Sequence, residues 1–259
     1  MSALQRFSLE GKVVVLTGGT GLYGRGLTAD LASAGAVLVI ASRKLEACKR
    51  VAEEECRQGR NVSAEAYDQS DESSIRQLHE RVMHRHGRID GLVNNSVART
   101  MSSPTGAVEE WEASMRVNAT GLMLMHRIFG ETFCQQGNGS IVNIGSIQGM
   151  VGPTLPLYAG MPHAVPPPDY FFHKGGMINL VRYYAAMFGP RGVRVNCLSP
   201  GGFLLQQSDT FLQRYHKNTF LGRMGHETDL GGSVIFLLSD ASTYVTGVNL
   251  PVDGGYTAH

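Results

Sequence analysis

Tyr170 and Lys174 stand four residues apart in a stretch, Tyr170 to Phe188, that reads as a long helix. Side chains at that spacing share one helical face. A free tyrosine has a pKa near 10, too high for easy proton exchange at neutral pH. An ammonium about 4–5 Å away, at an effective dielectric near 20, favours a phenolate by roughly 3–4 kcal/mol. That is enough to turn a phenol into a working acid or base. Ser146 adds a hydroxyl just after an apolar run, Ser140 to Ile144. A second tyrosine, Tyr158, lies closer to Ser146 but has Pro162 where the matching lysine would stand.

A second chemistry-bearing stretch is Lys12 to Gly26. Val13 to Leu16 is short, apolar and β-branched, as a buried parallel strand is. Gly18, Gly21 and Gly24 follow, and a helical pattern then runs from Leu22 to Ala34. Strand, glycine turn and helix start form a phosphate cradle, because glycine lets the backbone approach a pyrophosphate and the helix N-terminus favours an anion. The flanking strand and helix are the context this motif requires.

The rest of the chain must position these groups. Strands are expected at Ala36–Ala41, Val62–Ala66, Ile89–Val93, Ser140–Ile144, Val193–Leu198 and Val248–Val252. Helices are expected at Leu45–Arg57, about Glu72–His86, Val108–Gln135 with a break near Gly121, Tyr170–Phe188 and Glu227–Leu238. Apolar strands alternating with helices predict an α/β fold, a Rossmann-type doubly wound parallel sheet of about seven strands. In such sheets ligands gather beyond the carboxyl ends of the strands. Those ends carry the glycines, Ser42-Arg43, Asp68, Asn94-Asn95, Ser146 and Ser199-Pro200-Gly201-Gly202 in turn.

Composition sets the outer limits. With 42% hydrophobic and 17% charged residues and no linker-like tract, the 259-residue chain (1–259) reads as a single domain. A net charge of +1 gives no footprint for nucleic acid or an anionic membrane. There is neither a signal-type N-terminus nor a run of about 18 apolar residues. Cys48, Cys56, Cys134 and Cys197 lack metal-ligand or disulfide spacing, which suits a cytoplasmic location. His79, His84 and His86 do not share one helical face, so no metal site is expected.

Taken together, the chain resembles the short-chain dehydrogenase/reductase family over nearly its whole length. The matching pieces are Thr17-Gly18-x-x-Gly21-x-x-Gly24, Asp68, Asn94-Asn95, Asn118, Ser146, Tyr170-x-x-x-Lys174, Asn196, Pro200-Gly201, Thr246-Gly247 and Val252-Asp253-Gly254-Gly255. The resemblance implies hydride transfer between NAD(P)(H) and an alcohol or carbonyl. It makes Tyr170 the proton donor or acceptor and has Lys174 lower its pKa and hold the nicotinamide ribose. Ser146 would bind the substrate oxygen, and Asn118 would order a water chain to the lysine. Cofactor contacts fall on Thr17, Gly18, Gly21, Leu22, Gly24, Ser42, Arg43, Asp68, Asn95, Pro200 and Gly201. A homotetramer is also implied, sharing faces of the helices that begin at Val108 and Tyr170.

Ser42, Arg43 and Lys44 occupy the place where a carboxylate would repel a 2′-phosphate, so NADP(H) is favoured over NAD(H). Leu22 replaces the family's usual middle glycine, Ser96-Val97 its Ala-Gly, and Leu205 a carboxamide-binding threonine. Ser146 and Tyr170 are 24 residues apart, wider than is usual in the family. The additional segment, 153–169, holds six of the ten prolines and reads as a stiff loop on the active-site rim. Gln148, Tyr158 and His163 are the candidate substrate contacts, and 203–220 the family's substrate lid. A sugar, sugar acid or polyol fits the polar loops better than a steroid or fatty acyl group. Two rival readings are a nucleotide-sugar epimerase or dehydratase, from the glycine spacing, and a non-catalytic dinucleotide-binding sensor.

Overall fold

The structure, a computed structural model, describes residues 2–161 and 165–259. Seven parallel strands make one sheet: β1 (Val13–Thr17), β2 (Val37–Ser42), β3 (Val62–Ala66), β4 (Gly91–Asn94), β5 (Gly139–Ile144), β6 (Val193–Pro200) and β7 (Asn249–Val252). Their spatial order is β3-β2-β1-β4-β5-β6-β7, so the chain reverses direction across the sheet between β1 and β4. That reversal is where a doubly wound sheet opens its ligand crevice.

Among the described residues eight α-helices accompany it: α1 (Leu22–Ser33), α2 (Leu45–Arg57), α3 (Glu72–His86), α4 (Val108–Met115), α5 (Leu122–Gln136), α6 (Pro168–Phe188), α7 (Asp209–His216) and α8 (Gly231–Leu238), with α1, α2 and α8 on one face of the sheet and α3, α5 and α6 on the other. Side-chain alternation along β1 decides which face each residue serves. Val13 and Val15 pack with α3, α5 and α6 through Leu78, Phe129, Phe133 and Val181. Val14 and Leu16 pack with α1, α2 and α8 through Leu27, Leu31, Val51 and Leu237. Each fully buried side chain of this size contributes about 1.5–3 kcal/mol, so both layers hold the sheet.

Polar anchors fix the register inside this apolar frame. The Asp90 carboxylate accepts the Val13 N–H at 2.9 Å and pairs with Arg88. A buried row of asparagines crosses the central strands, with Asn94 donating to Asn143, Asn143 to the Asn196 carbonyl, and Asn196 to Val245.

The expected elements are all present, with shifted ends. The Val108–Gln135 helix is not interrupted at Gly121. Instead Arg116–Gly121 is a π-helical turn joining α4 to α5. A Cβ on Gly121 would collide with the Gln69 carbonyl, so glycine permits this close approach. The helix expected from Glu227 begins at Gly231, because the Asp229 carboxylate takes the His226 N–H and closes a turn there. Helix α6 begins two residues early, with Pro168 in its first turn, where a missing N–H costs nothing. Within 153–169, Leu155–Tyr158 forms a 3-10 turn. Within 203–220, Asp209–His216 forms α7 with a Ser208 cap. No helix among the described residues is long and apolar enough to cross a membrane.

Candidate active site

One cleft of about 930 Å³ runs along the carboxyl ends of the strands, from the β1–α1 turn to α6 and α7. Its first half is built from backbone. Gly18 has φ +67°, and the Gly21 N–H closes the turn on its carbonyl at 2.9 Å. A Cβ on Gly24 would strike that same carbonyl, so α1 can lie this close to β1 only with glycine there. The first turn of α1 carries no acidic residue and no side-chain cap, leaving it receptive to an anion.

Arg43 and Lys44 line the same half beyond β2, where the Ser42 hydroxyl accepts the Lys44 N–H at 3.0 Å. Past β3, Asp68 accepts from the Ser70 N–H and hydroxyl through one oxygen, at 2.8 and 2.7 Å. Burial works against its charge, but those bonds and nearby Arg43 hold the carboxyl below its usual pKa range. Its other oxygen has no protein partner among the described residues.

The second half is built from side chains. Tyr170, Lys174 and Ser146 all line it. The Lys174 ammonium is 5.7 Å from the Tyr170 ring centroid and donates to the Ile144 carbonyl at 2.6 Å. Burial pushes the lysine pKa down, and the neighbouring Tyr170 opposes that shift. Ser146 is extended and nearly buried, and its hydroxyl oxygen accepts the Gln148 N–H at 3.2 Å. A Cβ on Gly149 would lie 2.6 Å from the Lys174 carbonyl oxygen, so glycine lets the serine loop press onto α6.

The expected site residues divide cleanly. Gly18, Gly21, Leu22, Ser42, Arg43, Asp68, Asn95, Pro200 and Gly201 line the cleft, as do Gln148 and Tyr158. Thr17, Gly24 and Asn118 stand behind its wall. Thr17 is fully buried, and its hydroxyl oxygen receives the N–H groups of Asn95 and Ser96. The Asn118 side chain accepts the Ala98 N–H at 2.9 Å and donates to the Ala98 carbonyl at 2.8 Å and to Ser114 at 3.0 Å. His163 lies outside the described residues. Burial raises the Tyr158 phenol pKa, and the side chain lines the cleft.

Arg99, Arg214, Tyr215 and Asp169 escaped the sequence reading. The Arg99 guanidinium lies over the Tyr170 ring, 4.7 Å from its centroid. Its only signal was its place in the loop after β4, among the strand ends where ligands gather. Tyr215 on α7 accepts the Gly202 N–H at 2.5 Å, and Arg214 donates to the Leu157 and Ala159 carbonyls. Segments 153–169 and 203–220 are therefore stitched to each other. Asp169 is buried, with one carboxylate oxygen taking the Ser114 hydroxyl at 2.5 Å. His173 is buried with neither ring nitrogen partnered among the described residues. Burial first, then Lys174 and Arg99, push its pKa down to about 3.

Residues 23–257 match a family model described as enoyl-(acyl carrier protein) reductase. The chain belongs to the short-chain dehydrogenase/reductase family. It is accordingly an NAD(P)-dependent oxidoreductase acting on CH–OH groups. Among its relatives, an NADP-dependent mannitol dehydrogenase of Hypocrea jecorina is 33% identical, covering 98% of this chain and 95% of that protein. A 7alpha-hydroxysteroid dehydrogenase of Bacteroides fragilis is 28% identical over 96% of each chain. A crystal structure of a gluconate 5-dehydrogenase from Burkholderia cenocepacia J2315, in complex with NADP and tartrate, superposes with a TM-score of 0.90. It is 30% identical, and the match covers 100% of both chains.

Proposed function

We propose that this dehydrogenase moves hydride between NADP(H) and a secondary alcohol or ketone of a sugar, sugar acid or polyol. The observation that carries the reading is that Tyr170, Lys174 and Ser146 share one cleft with the glycine turn, Arg43 and Asp68. A nucleotide-binding half and a proton-transferring half are thus continuous.

The residues present fit a phosphorylated dinucleotide. Gly18, Gly21 and the start of α1 suit the diphosphate, and Asp68 offers an acceptor to an adenine amine. Arg43 and Lys44 line the cleft without an ion-pair partner among the described residues, which suits a 2′-phosphate. The bound nicotinamide would supply the hydride chemistry. Tyr170 carries the proton at its phenolic oxygen, and Lys174 sets its positive charge beside the ring that must bear the phenolate. Ser146 orients the substrate oxygen. Asn118 fixes the Ala98 backbone, and any water chain to Lys174 would have to begin away from its occupied side chain.

The polyol preference draws on the mannitol dehydrogenase likeness and on the hydroxyls and amide of Tyr158, Gln148 and Thr154 along the cleft. The segment 203–220 would serve as the lid. The exposed Phe172, Tyr183 and Met187 on α6 suit burial in a homotetramer. Four free cysteines suit the cytoplasm. A binding titration with NADP(H) and NAD(H), then a nicotinamide absorbance screen over polyols, sugars and sugar acids, tests the reading. Cofactor binding without turnover anywhere in that screen would overturn it in favour of a sensor.

A further inference from the structure

We infer that Arg99 is an anion-binding residue of the substrate site, and that the substrate carries a carboxylate near the carbon that is oxidised or reduced. This rests on the dehydrogenase reading above and narrows its substrate class. Four cationic side chains line the cleft, Arg43, Lys44, Arg99 and Lys174, against one carboxylate, Asp68. Arg43, Lys44 and Asp68 belong to the half that suits the adenosine end. Lys174 is spent on the Ile144 carbonyl and on its position beside Tyr170. Arg99 is left over. Its side chain is exposed at the mouth of the cleft, with no hydrogen-bond or ion-pair partner among the described residues and its guanidinium over the face of the Tyr170 ring.

Its mount is built rather than loose. The residue before it, Ala98, is clamped on both backbone groups by the Asn118 side chain. Asn118 in turn bonds Ser114, whose hydroxyl is held by the buried Asp169 carboxylate, the neighbour of Tyr170. One polar relay therefore sets the loop that carries Arg99 and the residue that carries the proton donor. A planar guanidinium with free N–H groups beside the reacting phenol matches a carboxylate through two parallel bonds. A neutral alcohol offers it no charge to meet.

The experiment compares matched pairs of equal carbon number, aldonates against alditols, with D-gluconate and D-glucitol as the first pair. Wild type, Arg99→Met and Arg99→Lys are assayed with NADP and NAD. The wild-type kcat/KM is expected to favour the acid, and Arg99→Met to cut the acid-to-alditol ratio by roughly 30-fold or more, through KM. Arg99→Lys, which keeps the charge but not the fork, should fall between. A second readout avoids turnover: Tyr170→Phe loaded with NADP is titrated calorimetrically with the same acids, with and without Arg99→Met. Arg99-dependent acid binding with no turnover of any pair sinks the polyol or sugar-acid reading and leaves the anion site standing. Equal use of acids and alditols, an acid advantage that survives Arg99→Met, or no acid binding at all overturns the inference.

Discussion

The two halves of the cleft are made of different material. The half under β1, β2 and β3 is shaped by backbone: a glycine at positive φ, a helix start without a cap, and a helix that approaches a carbonyl only because Gly24 has no side chain. The half under β5 and β6 is shaped by side chains from distant segments, with Arg214 and Tyr215 tying segment 203–220 to the proline-rich segment and to Gly202. Backbone geometry tolerates few sequences. A wall of packed side chains can be rebuilt from many, so this second half is where relatives sharing the fold can differ in substrate.

The largest expected effect falls on the chemistry at the boundary. Tyr170→Phe should lower kcat by about a thousandfold while leaving NADP affinity nearly as it was, since the phenol belongs to the side-chain half. Stopped absorbance assays and a fluorescence titration measure the two. Comparable losses in both would erase the division between the halves.

The next contrast uses two glycines. Gly24→Ala drives a methyl into the Gly18 carbonyl and should cost about 1–3 kcal/mol of stability, with cofactor binding lost alongside. Gly152→Ala, just before the proline-rich segment, meets nothing within 4 Å and should be neutral in a denaturant melt. Similar costs at the two positions would show that both halves are packed alike.

The same division explains what the sequence disclosed. The glycine turn, the strand ends and the Tyr170–Lys174 pair were legible because each follows from local spacing: φ freedom, alternation along a strand, or one helical turn. Arg99 was not legible. Its stacking on Tyr170 depends on a clamp between Ala98 and Asn118, 20 residues apart, and on Asp169 reaching Ser114. The π-helical turn at Arg116–Gly121 was hidden for a similar reason, since the Gln69 carbonyl that demands Gly121 comes from a different part of the chain. Long-range polar contacts leave no period to read.

Arg43→Ala should sharpen the cofactor half further. Removing one charge-assisted phosphate contact should weaken NADP binding by roughly 10- to 30-fold and leave NAD nearly untouched. Equal losses for both cofactors would move Arg43 from the 2′-phosphate to a structural or adenine-stacking role.

The smallest effect concerns acid, and it separates the halves by their buried polar atoms. His126 on α5 is fully buried and stacks on Tyr184 of α6; its Nδ1–H donates to the Leu122 carbonyl, while Nε2 has no partner among the described residues. Burial pushes its pKa from 6.5 down to about 4, and that of His173 to about 3. Both fold as neutral bases, so below pH 6.5 the unfolded chain binds more protons than the native one. Stability is complete above pH 6.5 and falls as pH drops toward those lower values, by up to about 1.4 kcal/mol per pH unit for each histidine. Helices α5 and α6 carry this liability, and α6 carries Tyr170 and Lys174, so the substrate half should loosen before the cofactor half. Between pH 7 and 5.5, wild type should lose about 1 kcal/mol more than His126→Asn in urea melts. Hydrogen exchange at pH 5.5 should show protection lost in α5 and α6 ahead of β1 and α1. Uniform loss across the sheet would mean that the two halves, however differently built, open as one cooperative unit.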